Sequence, residues 1–238
     1  MPPMIGQISL FPYNFAPAGW MFCEGQLLPI PQNEVLFQLL GTTYGGDGEE
    51  TFGLPDLTAA APPNLHYCIS LFGEFGTSTY TYNAIIGETM VAIPSLVARN
   101  LLQAAGQSML NNMYLLLSAY MGTRFGGDAT HFSLPDLRSK APSKCQYLIA
   151  VQGDPPNNLS ARSPFLGEIL LLPYQQTINT LLACDGAQLP ISENTALYDL
   201  IGTTFGGSGT NFALPNLTAP TGYSYYLAYL QAIFPPRG

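Results

Sequence analysis

Charge is what this 238-residue chain has least of. Asp, Glu, Lys and Arg together make up 9% of it, against roughly a quarter in soluble globular domains. Hydrophobic content, at 47%, is ordinary, so uncharged Thr, Ser, Asn, Gln and Gly stand where surface charge is missing. Such a surface disperses a monomer poorly. It suits a chain whose outside is largely covered by copies of itself. Bases are scarcest, seven against 15 acids for a net charge of −8. Lys and Arg form no cluster and do not interleave with aromatics, which removes nucleic acid from the expected partners.

Catalytic parts are equally sparse. The two histidines, His66 and His131, lie at unrelated positions, and no nucleophile, base and orienter assemble from any motif. An enzyme is therefore the weakest expectation. The chain carries no Gly-Lys-[Ser/Thr] phosphate cradle and no cofactor or metal motif. Its cysteines, Cys23, Cys68, Cys145 and Cys184, include no CxxC pair, which excludes zinc-ribbon and thioredoxin readings. Free buried thiols are expected, with a disulfide between repeats or subunits as the open alternative. The longest apolar runs, such as "YYLAYLQAIF", fall short of the ~18–20 residues of a membrane span. The opening "MPPMIGQISLF" has neither the charged start nor the apolar stretch of a signal peptide.

What is present is a threefold repeat. "GTTYGGDGEETFGLPDL" from Gly41 returns as "GTRFGGDATHFSLPDL" from Gly122 and "GTTFGGSGTNFALPNL" from Gly202. The double glycine recurs at Gly45/Gly46, Gly126/Gly127 and Gly206/Gly207, and the closing ring and proline at Phe52/Pro55, Phe132/Pro135 and Phe212/Pro215. Upstream, "GQISLFP", "GETMVAIP" and "GEILLLP" open the units at Gly6, Gly87 and Gly167, every spacing being 80 or 81 residues. Internal periods of this kind decide the fold. Linker-like "GEFGTSTYTYNA" and "GDPPNNLSARSPF" divide the chain into 1–80, 81–159 and 160–238. Each unit reads as short strands plus one helix of about two turns. "NEVLFQLLG" places Val35, Leu36, Leu39 and Leu40 on one face, with Gly41 past the helix end. The fold class expected is α+β and β-rich, as three tandem repeats each with short strands and one short helix.

The repeated loop reads as scaffold. Its acids are not constant: the third copy has Ser208, Thr210 and Asn211 in place of acids. Asp47, Glu49 and Glu50 lack the ligand order of a calcium loop. What persists is glycine, a ring and Leu-Pro, the parts of a shaped turn. Asp56, Asp136 and Asn216 after the proline are expected to close Asx-type turns.

"IGQISLFPYNFAPAGWMFCEGQLLPI" followed by "LFQLLGTTYGGDGEETFGLPDL" resembles the phage tail collar domain, found in short tail fibres and in proteins called microcystin-dependent. The first unit carries nearly the whole pattern: Gly6, Pro17, Gly19, Trp20, Cys23, Gly25, Gly41, Gly45, Gly46, Phe52 and Pro55. The second departs most, with Leu101 and Ala104 in place of the Trp and Cys. The Arg-Gly-Arg common in the family after Leu-Pro-Asp-Leu is missing from all three. Members work as trimers in fibres, so three copies on one chain look like a fused trimer, which implies a pseudo-threefold body. The resemblance implies a structural fibre, tip or filament protein that touches cell-surface glycan, and no reaction.

Charge divides unevenly among the units. Residues 1–80 hold seven acids and no Lys or Arg, while the second unit holds Arg99, Arg124, Arg138, Lys140 and Lys144. A head-to-tail contact would set Asp47, Glu49 and Glu50 of one copy against Arg124, Arg138, Lys140 and Lys144 of the next, and such contacts build open filaments. The first unit has no linker before it, so a strip on it is expected to stand open for "AIFPPRG" of a neighbour, including Phe234 and Pro235. The expected partners are thus copies of the chain itself, with cell-surface glycan second. For that second reading, Tyr80, Tyr82, Tyr223 and Tyr225 are the candidate stacking rings. The location that follows is an extracellular or virion-associated fibre.

Overall fold

Each unit begins with a turn set by its opening glycine. Gly6, Gly87 and Gly167 have φ of 76°, 76° and 88°, which a side chain resists. The next residue closes the turn by donating its N–H three residues back: Gln7 to Met4 at 3.0 Å, Glu88 to Ile85 and Glu168 to Phe165 at 2.9 Å. The turn feeds an opening strand at Ile8–Phe11, Thr89–Ala92 and Ile169–Leu172, in which every residue is buried. A closing strand at His66–Ser70, Gln146–Ala150 and Ser224–Ala228 pairs with it antiparallel. The far edge of each closing strand takes a third strand, Trp20–Phe22, Leu101–Gln103 or Leu181–Ala183.

In the computed structural model, which describes residues 2–159 and 161–237, the three opening strands meet at their remaining edges. Leu10 pairs with Ile169, Leu171 with Thr89, and Gln7 with Ala92, all antiparallel. Leu10 and Leu171 are equivalent positions, as are Ile169 and Thr89, and the third pair lies one step along the same register. One edge contact repeated three times closes a triangle about a pseudo-threefold axis. The buried apolar runs follow from this, because strands covered on both faces have no polar side.

The helices stand outside the triangle. α1 (Glu34–Leu40), α2 (Leu115–Met121) and α3 (Thr195–Ile201) each span seven residues. Gly41, Gly122 and Gly202 end them with φ of 52°, 55° and 52°. Leu36 and Leu40 are the buried residues of α1. Val35, expected beside them, is 45% exposed, and Leu39 reaches sideways to within 3.4 Å of where a Cβ on Gly6 would lie. Two turns cannot bury a four-residue face. No helix among the described residues is long and apolar enough to cross a membrane.

The linkers lie on the units that follow them. The Tyr80 carbonyl accepts from Arg99 N–H at 2.7 Å, and the Thr180 hydroxyl donates to the Pro156 carbonyl at 2.6 Å. The strip expected to be open on the first unit is not bare: the chain's own C-terminal tail crosses it. Ala18, the equivalent of Arg99, donates to the Pro236 carbonyl at 2.8 Å, and Pro17 pairs with Arg237. The Arg237 guanidinium sits 4.7 Å over the Phe15 ring. Pro235 is buried beneath this crossing, and Phe234 is 51% exposed.

Candidate functional site

The glycine loop is built around its second glycine and its ring. A Cβ on Gly46 would lie 2.4 Å from the Thr51 carbonyl oxygen, on Gly127 2.3 Å from that of His131, and on Gly207 2.5 Å from that of Asn211. Backbone therefore crosses backbone where only glycine fits. Phe52, Phe132 and Phe212 lie at most 1% exposed, with Pro55, Pro135 and Pro215 buried behind them. Asp47 Oδ1 accepts the N–H groups of Glu49, Glu50 and Thr51 at 2.8–2.9 Å, and Asp128 accepts those of Thr130 and His131. These bonds pull both carboxyls down to about 2. Asp56 Oδ1 closes its turn on Thr58 and Asp136 Oδ1 on Arg138.

The ring after the loop's opening Gly-Thr-x, which sequence reasoning left without a role, reaches across to the next unit. The Tyr44 hydroxyl donates to the Lys144 carbonyl at 2.6 Å, and Lys144 Nζ donates to the Thr43 carbonyl at 2.6 Å. Ser95 adds a third bond, donating to the Leu39 carbonyl at the end of α1. In the second seam the equivalent Phe125 packs on Tyr223 at 5.6 Å, Arg124 Nη1 reaches the Gly222 carbonyl at 3.4 Å, and Tyr120 packs on Tyr174 at 4.9 Å. The loop is thus a clasp between units as well as a turn.

These contacts revise the charged residues proposed for meeting another copy. Lys144 and Arg124 reach carbonyls of their own chain, and Arg138 is paired with Asp136 at 2.6 Å. Asp47 is occupied by its own loop. Glu49, Glu50 and Lys140 remain exposed. The tyrosines change too: Tyr82 and Tyr223 are 4% and 3% exposed, because Tyr82 bonds Gln7 at the axis and Tyr223 meets the Thr89 hydroxyl. Tyr80 and Tyr225 are half-buried. All four cysteines are free within the chain, so no bridge joins one repeat to another. Burial lifts the Cys23, Cys68 and Cys184 thiols above their ordinary range, which keeps them unreactive.

The axis holds a charged cluster. Gln7, Glu88 and Glu168 occupy one equivalent position, and each accepts the N–H of the residue three before it, at 3.2, 3.1 and 3.1 Å. Arg162, from the second linker, enters between the two acids, with Nε 2.9 Å from Glu88 and Nη2 2.6 Å from Glu168. A symmetric trimer would set three identical groups here. One chain can place a glutamine, two acids and a single arginine. Burial nevertheless holds the Glu88 carboxyl above the usual range, against the pull of Arg162. Further along the axis the equivalent Tyr67, Tyr147 and Tyr225 line the same cavity. The sequence signal was present, as "GQ", "GE" and "GE" open otherwise apolar strands.

The phage tail collar domain matches the chain three times, at residues 6–62, 87–142 and 167–221. No curated protein and no solved structure matches it. The matched segments run from each opening glycine through the glycine loop and past the Leu-Pro close, and hold the opening strands of the triangle and the loop side of each clasp. They cover well over half of the sequence, and the chain belongs to the phage tail collar domain family, as a virion-associated structural protein of tail-fibre type with three collar units in tandem.

Proposed function

We propose that the protein is a self-assembling fibre subunit whose copies join head to tail by exchange of the C-terminal tail. The observation that carries this is the seam on the first unit. On the second and third units the covering segment is a linker continuous with the unit it covers. On the first unit it is the tail, held there by the Ala18–Pro236 and Pro17–Arg237 pairs and the ring contact. A tail that leaves its own first unit can lie on that of another copy with the same bonds. Each copy gives one tail and receives one, so the contacts continue unless they close into a ring.

Exchange alone gains no contact, so a stable joint needs further burial. The tail end of the body supplies it: Phe72, Phe75, Val97, Leu230, Ile233 and Phe234 are between 43 and 51% exposed. Apolar burial stabilises by about 25 cal/mol per Å², and the sparse charge of the chain offers little repulsion. Electron microscopy of the purified full chain, beside a chain ending at residue 231, checks the reading. Fibres from the full chain and dispersed particles from the shortened one are expected. Fibres from both would remove the tail as the joint, and particles from both would remove assembly.

A further inference from the structure

We infer that the start of α2 and the groove beside it form a contact surface for a second copy of the chain, paired about a twofold axis. Leu110, Met113, Leu115 and Leu116 stand 40, 65, 69 and 41% exposed. Met113, Leu115 and Leu116 also wall a groove of about 180 Å³, together with the buried Ile86 and Val151 and with Gly153. Apolar side chains gathered on one exposed face mark a contact, whereas scattered ones do not.

The other units lack this face. The positions of Met113 and Leu115 hold Gln32 and Glu34 in the first unit, and Glu193 and Thr195 in the third. An acid in the first helical turn favours a helix, and α1 has one in Glu34. The first turn of α2 has no acid and exposes leucines instead. The repeated fold does not ask for them, since two units form the same helix without them. A partner accounts for them.

Charge and shape identify that partner. Residues 100–123 contain no Asp, Glu, Lys, Arg or His. A twofold contact sets one surface patch against itself, so any charge near its centre would face its like. The ridge of Met113 and Leu115 stands beside the groove, and a twofold lets each ridge enter the groove of the other copy. A space of about 150 Å³ holds a benzene ring, so the groove accepts one side chain of that size. Asn112 and Gln152, both exposed, give the apolar centre an uncharged polar rim. A bilayer suits the face less. Helices that lie in a membrane surface carry Lys and Arg on their polar side, α2 has neither, and a net charge of −8 is repelled by anionic lipid. The contact uses no part of the tail and stands apart from tail exchange.

The experiment makes the full chain with the photoreactive residue p-benzoylphenylalanine in place of Met113, irradiates it and runs it on a denaturing gel. A twofold contact joins chains in pairs and nothing larger, because both reactive groups act within one pair. A contact between two different surfaces gives a ladder. Pairs are expected, joined at residues 107–119 or 151–153 of the other copy when mapped by mass spectrometry. Met113→Gln combined with Leu115→Glu copies the first unit. It is expected to weaken pairing about tenfold or more in analytical ultracentrifugation, with Tm unchanged or raised. In a fibrous sample this variant should leave fibres that no longer lie side by side, and in a dispersed sample monomers, so the pairing is read whether or not tails exchange. Single chains alone, a ladder, pairs joined elsewhere, or pairing indifferent to the double variant would overturn the inference. Flotation of the chain with phosphatidylcholine vesicles, abolished in the double variant, would make the face a bilayer contact and equally overturn it.

Discussion

Replacing Arg162 with Met keeps the stem of the side chain and removes the guanidinium from the axis. Glu88 and Glu168, with side chains 3% and 4% exposed, are then left facing one another. Breaking a buried ion pair from one side costs about 3–5 kcal/mol. In a chain of this size each kcal/mol lowers Tm by about 2–4 °C, so a fall of about 6–20 °C is expected near neutral pH. The loss depends on pH. Without Arg162 the Glu88 carboxyl loses the partner that pulls it down and moves further up, and a carboxyl with a folded pKa above its unfolded value binds protons more tightly in the native state. Stability then falls as pH rises through the window above about 4.3, the unperturbed Glu value, and returns on acidification. The deficit against the parent should accordingly shrink as pH falls toward that value.

Glu88→Gln is the matching control. Gln7 occupies the equivalent place and accepts the Met4 N–H at 3.2 Å, so an amide fits the turn, and Arg162 retains Glu168 one to one. This variant should stay within about 1 kcal/mol of the parent. Combined with Arg162→Met it should recover at least about 1 kcal/mol, as coupled neighbours do. Thermal unfolding followed by circular dichroism across pH reads all three. An Arg162→Met protein within about 1 kcal/mol of the parent at neutral pH, or a deficit that ignores pH, would refute the reasoning.

Two further predictions concern the loop. Gly46→Ala places a methyl 2.4 Å from backbone and should destabilise more than Gly41→Ala, which meets nothing within 4 Å and carries only a conformational cost of about 1–3 kcal/mol; paired denaturation curves would show the order, and equal losses would remove the backbone crossing as the reason. Tyr44→Phe deletes the bond to the Lys144 carbonyl and should cost about 0.5–1.5 kcal/mol with faster amide exchange at residues 143–146, whereas unchanged exchange there would detach the loop from the seam.

Much of each unit was legible in the sequence because backbone geometry wrote it. Gly41, Gly46 and Phe52 recur since a positive φ, a backbone crossing and a buried ring each admit few residue types. The helix ends and the opening strands followed from them, and the pseudo-threefold body from the resemblance to a trimeric family. Contacts between units were not legible. Lys144 meets Thr43 across 101 positions, and nothing in "RSKAPSKCQ" separates a clasp from a solvated base. Arg162 lay in a polar linker and drew no role, although the axis encloses it. Val35 read as buried because a helical face was counted without the width of what covers it. Three-residue strands such as Trp20–Phe22 are too short to display a period.

The measurement that bears most directly on assembly is a cross-link between Pro17→Cys and Arg237→Cys. These positions face each other in an antiparallel bridge, a separation of about 4.5–5.5 Å that a disulfide spans. The oxidised sample is run on a denaturing gel without reductant. Tail exchange predicts a ladder of covalently joined chains from the assembled sample and single closed chains after dilution to monomer. Closed single chains alone, from a sample that microscopy shows to be fibrous, would contradict it.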